Sequence, residues 1–327
     1  MSTAADFHSD PPAVQGRVPD FFIVGHHKSG TTALYEMLSQ HPQVFMSDIK
    51  EPRFLAADMR PRFTPPRGRR LPATLEEYLS LFSAAAPGQR AGEASPSYLF
   101  SHTAAAEIAR LQPDARIIAI LREPASFLYS LHLQLLRSHV ESEKDLLKAI
   151  ALEDVRREGR RIPRRSHMPQ LLQYSDHVTY ADQLRRYHEL FAPEQVKVLI
   201  YEDFRDDNGG TLREVLRFLE IDEDHPLEQV NVKQTTTTMR SQQLDDLVLA
   251  LTLGSSGRSR RARAALKALA PRRVRREALR LVRRRAVLGR AAPPEQKAME
   301  ELRLRYQPEV ARLGEYLGRD MLARWGY

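Results

Sequence analysis

The sequence Asp-Phe-Phe-Ile-Val-Gly-His-His-Lys-Ser-Gly-Thr-Thr at residues 20–32 predicts a strand, a tight turn and the start of a helix. An apolar run ends at Gly25, and the apolar positions after residue 32 recur with helical spacing. Backbone N–H groups at such a helix start point at phosphate oxygens, and the helix dipole favours negative charge. The turn itself offers a cation and hydroxyl donors, which are Lys28, Ser29, Thr31 and Thr32 around Gly30. The stretch therefore predicts an anion-binding turn in an α/β fold.

This turn differs from the Walker A phosphate-binding loop. A Walker A loop has a glycine, four residues and then Gly-Lys-Ser/Thr. Here Lys28 lies three residues after Gly25, and Gly30 follows the lysine. The alternative is an ordinary strand-to-helix turn with a surface lysine, but the density of anion ligands favours phosphate binding.

The composition limits the chemistry that the chain can perform. Its 327 residues suffice for one large α/β domain or two small ones. There is no cysteine, which excludes disulfides, thiolate zinc sites and cysteine nucleophiles and fits a reducing compartment. No run of 18 apolar residues predicts a transmembrane helix, and residues 1–19 lack the apolar core of a signal peptide. We therefore expect a disordered lead-in over residues 1–19 and a cytoplasmic protein.

The charge is concentrated in one segment. The chain carries a net charge of +8, but residues 258–290 alone hold 14 Lys or Arg and a single acid, which gives +13 for the segment and −5 for the rest. Apolar residues recur with helical spacing here, so we expect a basic helical insertion over residues 255–292. Such a composition is typical of contact with an anionic membrane surface, here the inner membrane face. The alternative is an insertion packed on the domain with solvated arginines.

Strand-like and helical patterns alternate along the rest of the chain. Apolar runs at residues 21–24, 44–46, 116–121 and 196–201 predict four strands. Helical spacing follows several of them, which indicates βαβ units and a parallel sheet buried on both faces. We expect one domain over residues 20–327, closed by a C-terminal helix.

Three further stretches are of interest. Residues 155–166 hold six arginines and predict a solvated loop, with contact to an anionic acceptor as the alternative. Residues 231–241 hold four threonines in a row and predict a flexible loop. Trp325, near the end of the chain, is expected to dock on the core.

A second anion signal follows another predicted strand. Arg122-Glu123-Pro124 turns from Leu121 into a helix, and Ser130 follows about two helical turns after the arginine. Arginine presents a planar fork for phosphate. The carboxyl ends of parallel strands are where open α/β sheets bind nucleotides, so the two signals together predict a nucleotide site.

These residues resemble the sulfotransferases that use 3′-phosphoadenosine 5′-phosphosulfate (PAPS). The turn at residues 22–32 is similar to their 5′-phosphosulfate loop, and Leu-Arg-Glu-Pro with Ser130 is similar to their 3′-phosphate site. Blocks at residues 41–54, 92–98 and 198–203 are similar to segments of bacterial members related to the heparan-type carbohydrate enzymes. The resemblance covers residues 20–242 and, more loosely, 302–325. It implies a P-loop-like three-layer fold with a central parallel sheet flanked by helices.

The resemblance also implies roles for particular residues. Lys28 would bind the phosphosulfate and stabilise the leaving phosphate, and Glu51 would act as the general base. Glu93 is the competing carboxylate, and His27 could line the site. The remaining donor-binding residues implied are Ser29, Gly30, Thr31, Thr32, Arg122 and Ser130. No metal is implied, and the acceptor would be a hydroxyl-bearing small molecule or glycan.

Two departures from the family pattern bear on the acceptor and on closure of the site. The family often has a lysine where Ala94 follows Glu93, and often a Lys-Gly-Arg loop where this chain has Lys233 and Arg240 in a threonine-rich stretch. We therefore expect Lys233 and Arg240 to contact the donor in place of that loop. The acceptor class stays open between a carbohydrate, a glycolipid and a secondary metabolite.

Two alternative functions compete with sulfuryl transfer. An atypical P-loop nucleotide kinase would need magnesium-binding acids and the Gly-Lys-Ser/Thr order, and neither is recognisable here. A membrane- or polyanion-binding protein without catalysis would rest on residues 258–290 alone. Nothing in the sequence points to specific nucleic-acid recognition.

Overall fold

The computed structural model describes residues 16–63, 70–226, 237–239, 288–290 and 293–327. Five strands form one all-parallel sheet in the order β2-β3-β1-β4-β5. They are β1 (Phe21–Ile23), β2 (Val44–Met46), β3 (Arg90–Ala94), β4 (Arg116–Leu121) and β5 (Val196–Ile200). The chain runs from β1 to one side of the sheet and from β4 to the other. The switch point of the topology therefore lies between β1 and β4, where open α/β sheets bind ligands at the carboxyl ends of the strands.

Helices of the described residues follow the strands. After β1 and β2 come α1 (Thr31–Leu38) and α2 (Leu75–Ser80), and after β3 come α3 (Ser97–Phe100) and α4 (Ala104–Leu111). Between β4 and β5 lie α5 (Pro124–Arg137), α6 (Leu146–Ala151), α7 (Glu153–Arg157) and α8 (Tyr180–His188). The later helices are α9 (Tyr201–Asp206), α10 (Asn208–Phe218), α11 (Gln296–Leu317) and α12 (Met321–Trp325). Short 3₁₀ turns occur at Ala57–Met59, Pro169–Leu172, Ser175–Val178 and Pro193–Gln195.

The sheet is buried on both faces, which confirms the predicted three-layer fold. Successive residues of a strand point to opposite faces, so Phe22 joins one hydrophobic cluster and Ile23 the other. Helices α1 and α10 cover one face. The larger cluster on the other face includes α5, α8 and α11. Among the described residues, no helix is long and apolar enough to cross a bilayer.

The sequence pattern missed β3, the strand between β2 and β1. Its sequence, Arg-Ala-Gly-Glu-Ala, lacks the β-branched and aromatic residues that mark a strand. Gly92 is required there, since a Cβ would lie 2.1 Å from the Phe21 ring. Large side chains of the neighbouring strands fill the space that a small central strand leaves.

Several smaller predictions are corrected. The arginine-rich stretch at 155–166 is not wholly solvated, because Arg156 is buried in α7 and pairs with both oxygens of Glu141 at 2.7 and 2.8 Å. Of the predicted lead-in, residues 16–19 lie on the fold, where Arg17 donates to the carbonyl of Gln89 at 2.7 Å. The apolar residues of the C-terminal helix do not all pack on the core, since Leu304 is 74% exposed.

Two short strands lie in segments of the C-terminal third that were predicted to be a loop and a helical insertion. β6 (Thr237–Met239) pairs antiparallel with β7 (Leu288–Arg290). The threonine-rich stretch therefore contains a strand, and the predicted basic helical insertion ends in one. The rest of residues 255–292, together with residues 1–15, lies outside the described residues. The Trp325 prediction is confirmed, since its ring is buried and Nε1 donates to Glu202 at 2.9 Å.

Candidate active site

The first predicted anion turn leaves β1 in close contact with β4. A Cβ at Gly25 would lie 2.4 Å from the backbone nitrogen of Ile120, so only glycine fits this exit. Gly30 adopts φ +85°, and a Cβ there would lie 3.1 Å from the Phe204 ring. Lys28 also has a left-handed backbone, with φ 64°. Such a conformation is uncommon for a residue with a Cβ and clusters at functional sites.

The second turn joins the first directly. Arg122, at the end of β4, donates from Nη1 to the carbonyl of Lys28 at 2.8 Å. Its guanidinium lies 4.7 Å from the centroid of the Tyr201 ring. Glu123 caps α5 by accepting from the N–H groups of Ala125 and Ser126 at 3.0 and 2.7 Å. The two predicted anion sites are therefore held in one fixed arrangement at the switch point of the sheet.

A cavity of about 320 Å³ lies against both turns. Most of the residues predicted to bind the donor line this cavity, and four residues that were not predicted to do so line it as well. The lining residues are His27, Lys28, Gly30, Thr31, Thr32, Ala33, Glu51, Arg122, Ser130, Gln134, Arg137 and Tyr201.

The additional lining residues differ in how visible they are in the sequence. Gln134 and Arg137 follow Ser130 at spacings of four and seven, which places all three on one face of α5. That spacing could have identified them. Tyr201 opens α9 directly after β5, and its contact with Arg122 could be found only from the fold.

Anion-binding capacity is available in this cavity. Ser130 Oγ, in the cavity lining, is buried and has no hydrogen-bond partner among the described residues. Ser29 Oγ is also buried without a partner among them, but Ser29 does not line the cavity. No side chain in the described part of the chain caps the start of α1, so its first N–H groups have no side-chain partner there. Burial, and then the charges of Arg137 and Arg122, lower the pKa of Lys28. A polyanion bound in the cavity would satisfy the Ser130 hydroxyl and offset the repulsion among the three cations.

Glu51 lines the same cavity and is its acidic side chain. Its oxygens pair with Lys50 Nζ at 3.0 Å and Arg53 Nη2 at 2.5 Å. Burial alone would raise the pKa of Glu51, but His27 when it is protonated in acid, together with the cations of Arg53 and Lys50, lowers it well below its usual range. Burial lowers the pKa of His27 to about 4, so His27 is neutral near pH 7 and the cations of Arg53 and Lys50 hold the carboxylate charged.

Glu93, the competing carboxylate, does not line the cavity. It is buried in β3, and its Oε2 accepts from the hydroxyls of Tyr78 at 2.5 Å and Tyr98 at 3.1 Å. Burial raises the pKa of Glu93 to about 7, and the hydroxyl hydrogen bonds oppose this shift without cancelling it. Its position favours a role in holding structure over direct contact with an acceptor.

Two predicted donor contacts and the question of a metal site complete the comparison with the sequence. Lys233 and Arg240 lie outside the residues that the structure describes, so their expected contacts to the donor stay predictions. Within the described ranges no group of three or more His, Asp or Glu side chains could hold a metal ion.

Comparison with known proteins identifies the family. Residues 18–256 match the sulfotransferase domain family. The chain belongs to the sulfotransferase family. A sulfotransferase from Alicyclobacillus acidocaldarius has a similar structure, with a TM-score of 0.68 and 25% sequence identity over 95% of this chain and 100% of that one. The P-loop-like α/β fold expected from the resemblance is thereby confirmed.

Two larger sulfotransferases are similar in sequence. Carbohydrate sulfotransferase 15 of Mus musculus is 29% identical in a 252-residue alignment that covers 62% of this chain and 44% of that protein. The human bifunctional heparan sulfate N-deacetylase/N-sulfotransferase 3 is 29% identical over 209 residues, 63% of this chain and 22% of that protein. The chain thus spans less than half the length of these relatives. Membership of the sulfotransferase family argues against the nucleotide kinase and against a binding protein without catalysis.

Proposed function

We propose that this chain transfers the sulfuryl group of PAPS to a hydroxyl of a carbohydrate, glycolipid or secondary-metabolite acceptor. One observation carries the proposal. Two anion turns, joined by the Arg122 hydrogen bond to Lys28, border a single cavity that also contains a charged carboxylate. A donor with two separate phosphate positions and an acceptor that loses a proton need such a combination.

The donor would be held through its two ends. The N–H groups at the start of α1, with the hydroxyls of Ser29, Thr31 and Thr32, would bind the 5′-phosphosulfate. Arg122 and Ser130 would bind the 3′-phosphate, with Lys233 and Arg240 proposed as further contacts. The buried, unpartnered hydroxyls of Ser29 and Ser130 fit this assignment, because a buried hydroxyl without a partner is costly.

The transfer step is an in-line displacement at sulfur. The acceptor oxygen forms a bond to sulfur while the bond from sulfur to the bridging phosphate oxygen breaks, and that oxygen keeps the electron pair. Lys28 would stabilise the charge that develops there, and loss of one such preorganised group typically costs about 3–4 kcal/mol. Fixed alignment of the two reactants can contribute about 7–11 kcal/mol in favourable cases.

Glu51 would accept the proton that the acceptor hydroxyl releases. Because Lys50 and Arg53 occupy its oxygens, the acceptor must share or displace one of these ion pairs. A carboxylate with a strongly lowered pKa is a weak base. Proton transfer to it therefore has to accompany formation of the bond to sulfur, when the hydroxyl becomes acidic. General base catalysis of this kind contributes roughly 10²–10⁴-fold.

The acceptor class rests on the relatives. Both named sequence relatives carry a carbohydrate or heparan sulfate in their names. We therefore favour a hydroxyl-bearing glycan over the other acceptors.

Two measurements test the function. Adenosine 3′,5′-bisphosphate should raise the melting temperature far more than ATP does. Purified protein should then transfer label from PAPS to a member of an acceptor panel of glycans, glycolipids and hydroxylated metabolites. Equal stabilisation by ATP and the bisphosphate would contradict the donor assignment. Stabilisation by the bisphosphate without transfer to any glycan would contradict the acceptor class alone.

We further propose a cytoplasmic protein whose residues 258–290 contact an anionic membrane surface. The support is the charge of +13 in 33 residues, since each Lys or Arg near such a surface contributes about 1 kcal/mol and is screened by salt. Co-sedimentation with anionic vesicles should occur at low salt and vanish at high salt. No sedimentation at low salt would remove this proposal.

A further inference from the structure

The loop that carries Glu51 is attached at every second residue to the end of β3 and to the residues that follow it. Glu51 N–H donates to the carbonyl of Ala94 at 3.0 Å. Arg53 N–H donates to Ser95 Oγ at 3.1 Å, and Leu55 N–H donates to the hydroxyl of Tyr98 at 3.1 Å. Only the first of these three acceptors is a backbone atom, so two side chains determine the path of the loop beyond Glu51.

The loop needs these attachments because its backbone is strained. Glu51 and Arg53 have φ values of 60° and 54°. Left-handed conformations of this kind persist in residues with a Cβ only where the surroundings over-determine them. In this loop the Arg53 guanidinium lies 2.5 Å from the Glu51 carboxylate.

The attachment points are themselves rigid. Ser95 and Tyr98 are fully buried, and Tyr98 donates to Glu93 Oε2, which also accepts from Tyr78. Because the Tyr98 hydroxyl proton points to Glu93, its lone pairs are left to accept from Leu55. Glu93 therefore fixes the direction of the hydroxyl on which the Glu51 loop rests.

We propose that Ser95 and Tyr98 are positioning residues for Glu51, with Glu93 orienting Tyr98. This inference rests on the proposed function, because it assigns a role in acceptor activation and none in donor binding. It gives a physical purpose to the sequence block at residues 92–98. It also explains why two carboxylates lie near one strand end while only one reaches the cavity.

Tyr98→Phe and Ser95→Ala test the proposal. Each should lower kcat about 10- to 100-fold, because a small misplacement of a reacting group has effects of that size. Binding of adenosine 3′,5′-bisphosphate should stay within about threefold of wild type, since neither residue lines the donor turns.

A matched control separates positioning from general loss of stability. Tyr174 is also fully buried, and its hydroxyl donates to a buried carboxylate, Glu141, at 3.2 Å. Tyr174→Phe should lower the melting temperature about as much as Tyr98→Phe and leave kcat within about threefold. An equal fall of kcat in both variants would overturn the proposal.

A double-mutant cycle with Glu51→Gln gives the decisive readout. If Tyr98 acts through Glu51, then Tyr98→Phe should cause less than about threefold further loss of kcat in the Glu51→Gln background. Full additivity of the two losses would overturn the positioning role.

A measurement without turnover keeps this inference separate from the proposed function. In protein labelled with ¹³C at the glutamate carboxyl groups, the titration of Glu51 should move toward its ordinary pKa in Ser95→Ala, because the Arg53 backbone then loses its attachment to Ser95 Oγ. An unchanged titration would overturn positioning whatever the acceptor is. Absence of sulfuryl transfer by wild-type protein would instead contradict the function and leave this result standing.

Discussion

Glu51 and Glu93 are two carboxylates at the same end of the sheet whose environments act in opposite directions. Glu51 lies beside the cavity between two cations, which lower its pKa well below the usual range. Glu93 lies in the core between two tyrosine hydroxyls, where burial raises its pKa to about 7. Pairs of acids separated in this way mark a division of roles. Here the charged one is assigned to chemistry and the buried one to holding the loop.

The difference also shows why a motif alone did not separate them. Both residues lie in blocks that resemble the family, and both are acids near a strand end. What distinguishes them is which neighbours supply charge and which supply only a hydroxyl. Lys50 and Arg53 are adjacent to Glu51 in sequence, whereas Tyr78 reaches Glu93 from α2. The first kind of partner is visible in the chain, and the second requires the fold.

The largest expected effect distinguishes the two acids by turnover. Glu51→Gln should lower kcat by roughly 10²–10⁴-fold, the contribution typical of a general base. Binding of adenosine 3′,5′-bisphosphate should be unchanged, because Lys28 and Arg122 are intact. Glu93→Gln is the control and should keep kcat within a few-fold, since an amide oxygen can still accept from Tyr98. The reverse pattern, with Glu93→Gln inactive and Glu51→Gln active, would show that the base is assigned to the wrong carboxylate.

The second prediction concerns stability against pH. Below pH 4.5 Glu93 is protonated in both the folded and the unfolded protein. Between pH 4.5 and about 7 only the folded protein keeps the proton. Its favourable contribution is therefore present at low pH and lost as pH rises through about 7. The loss amounts to about 3 kcal/mol.

Glu93→Gln cannot ionise and should remove this part of the pH dependence. Urea unfolding at pH 5 and pH 8 should show the variant gaining about 2.5 kcal/mol relative to wild type across that interval, since part of the loss in wild type already occurs below pH 5. Any constant offset from the amide cancels in the difference. The same slope in both proteins would mean that Glu93 keeps an ordinary pKa.

Most of the fold could be predicted from the sequence because four strands are apolar and bounded by turn residues. β4, with the sequence Arg-Ile-Ile-Ala-Ile-Leu, is recognisable without a structure. β3 is not recognisable, because Gly92 has no side chain and the space over it is filled by Phe21 and Met46 of the neighbouring strands. A strand whose burial depends on other strands carries no apolar pattern of its own.

The candidate site could be predicted as far as it follows contiguous motifs. Lys28 and Arg122 each lie in a strand-to-helix turn that is recognisable in the sequence. The hydrogen bond between them joins residues 94 positions apart, and no spacing rule predicts it. Arg156 was misjudged for a related reason, since its partner Glu141 is 15 residues away and buried with it.

The third prediction tests the donor side against the acceptor side. Arg122→Ala should weaken binding of adenosine 3′,5′-bisphosphate about 10- to 100-fold, in line with loss of a charged hydrogen bond. Binding of adenosine 5′-phosphate should change much less, because it lacks the 3′-phosphate. Isothermal titration with the two ligands measures the difference. An equal loss for both would indicate that Arg122 acts through its bond to the Lys28 carbonyl and not on the 3′-phosphate.

The smallest expected effect tests how the charge of Glu51 is maintained. Arg53→Gln removes both the nearest cation and its hydrogen bond, so the pKa of Glu51 should rise toward its ordinary value. Activity requires the ionised carboxylate. The acid limb of the kcat/KM profile should therefore move to higher pH, by about one unit.

Lys50→Gln provides the comparison for Arg53→Gln, since it removes the longer ion pair, at 3.0 Å against 2.5 Å. Its acid limb should move in the same direction and by less. Glu93→Gln should not move the limb at all, because Glu93 does not exchange its proton with the acceptor. If Arg53→Gln left the limb in place while Glu93→Gln shifted it, the group that titrates in turnover would be the buried acid. The two carboxylates would then have exchanged the roles given to them here.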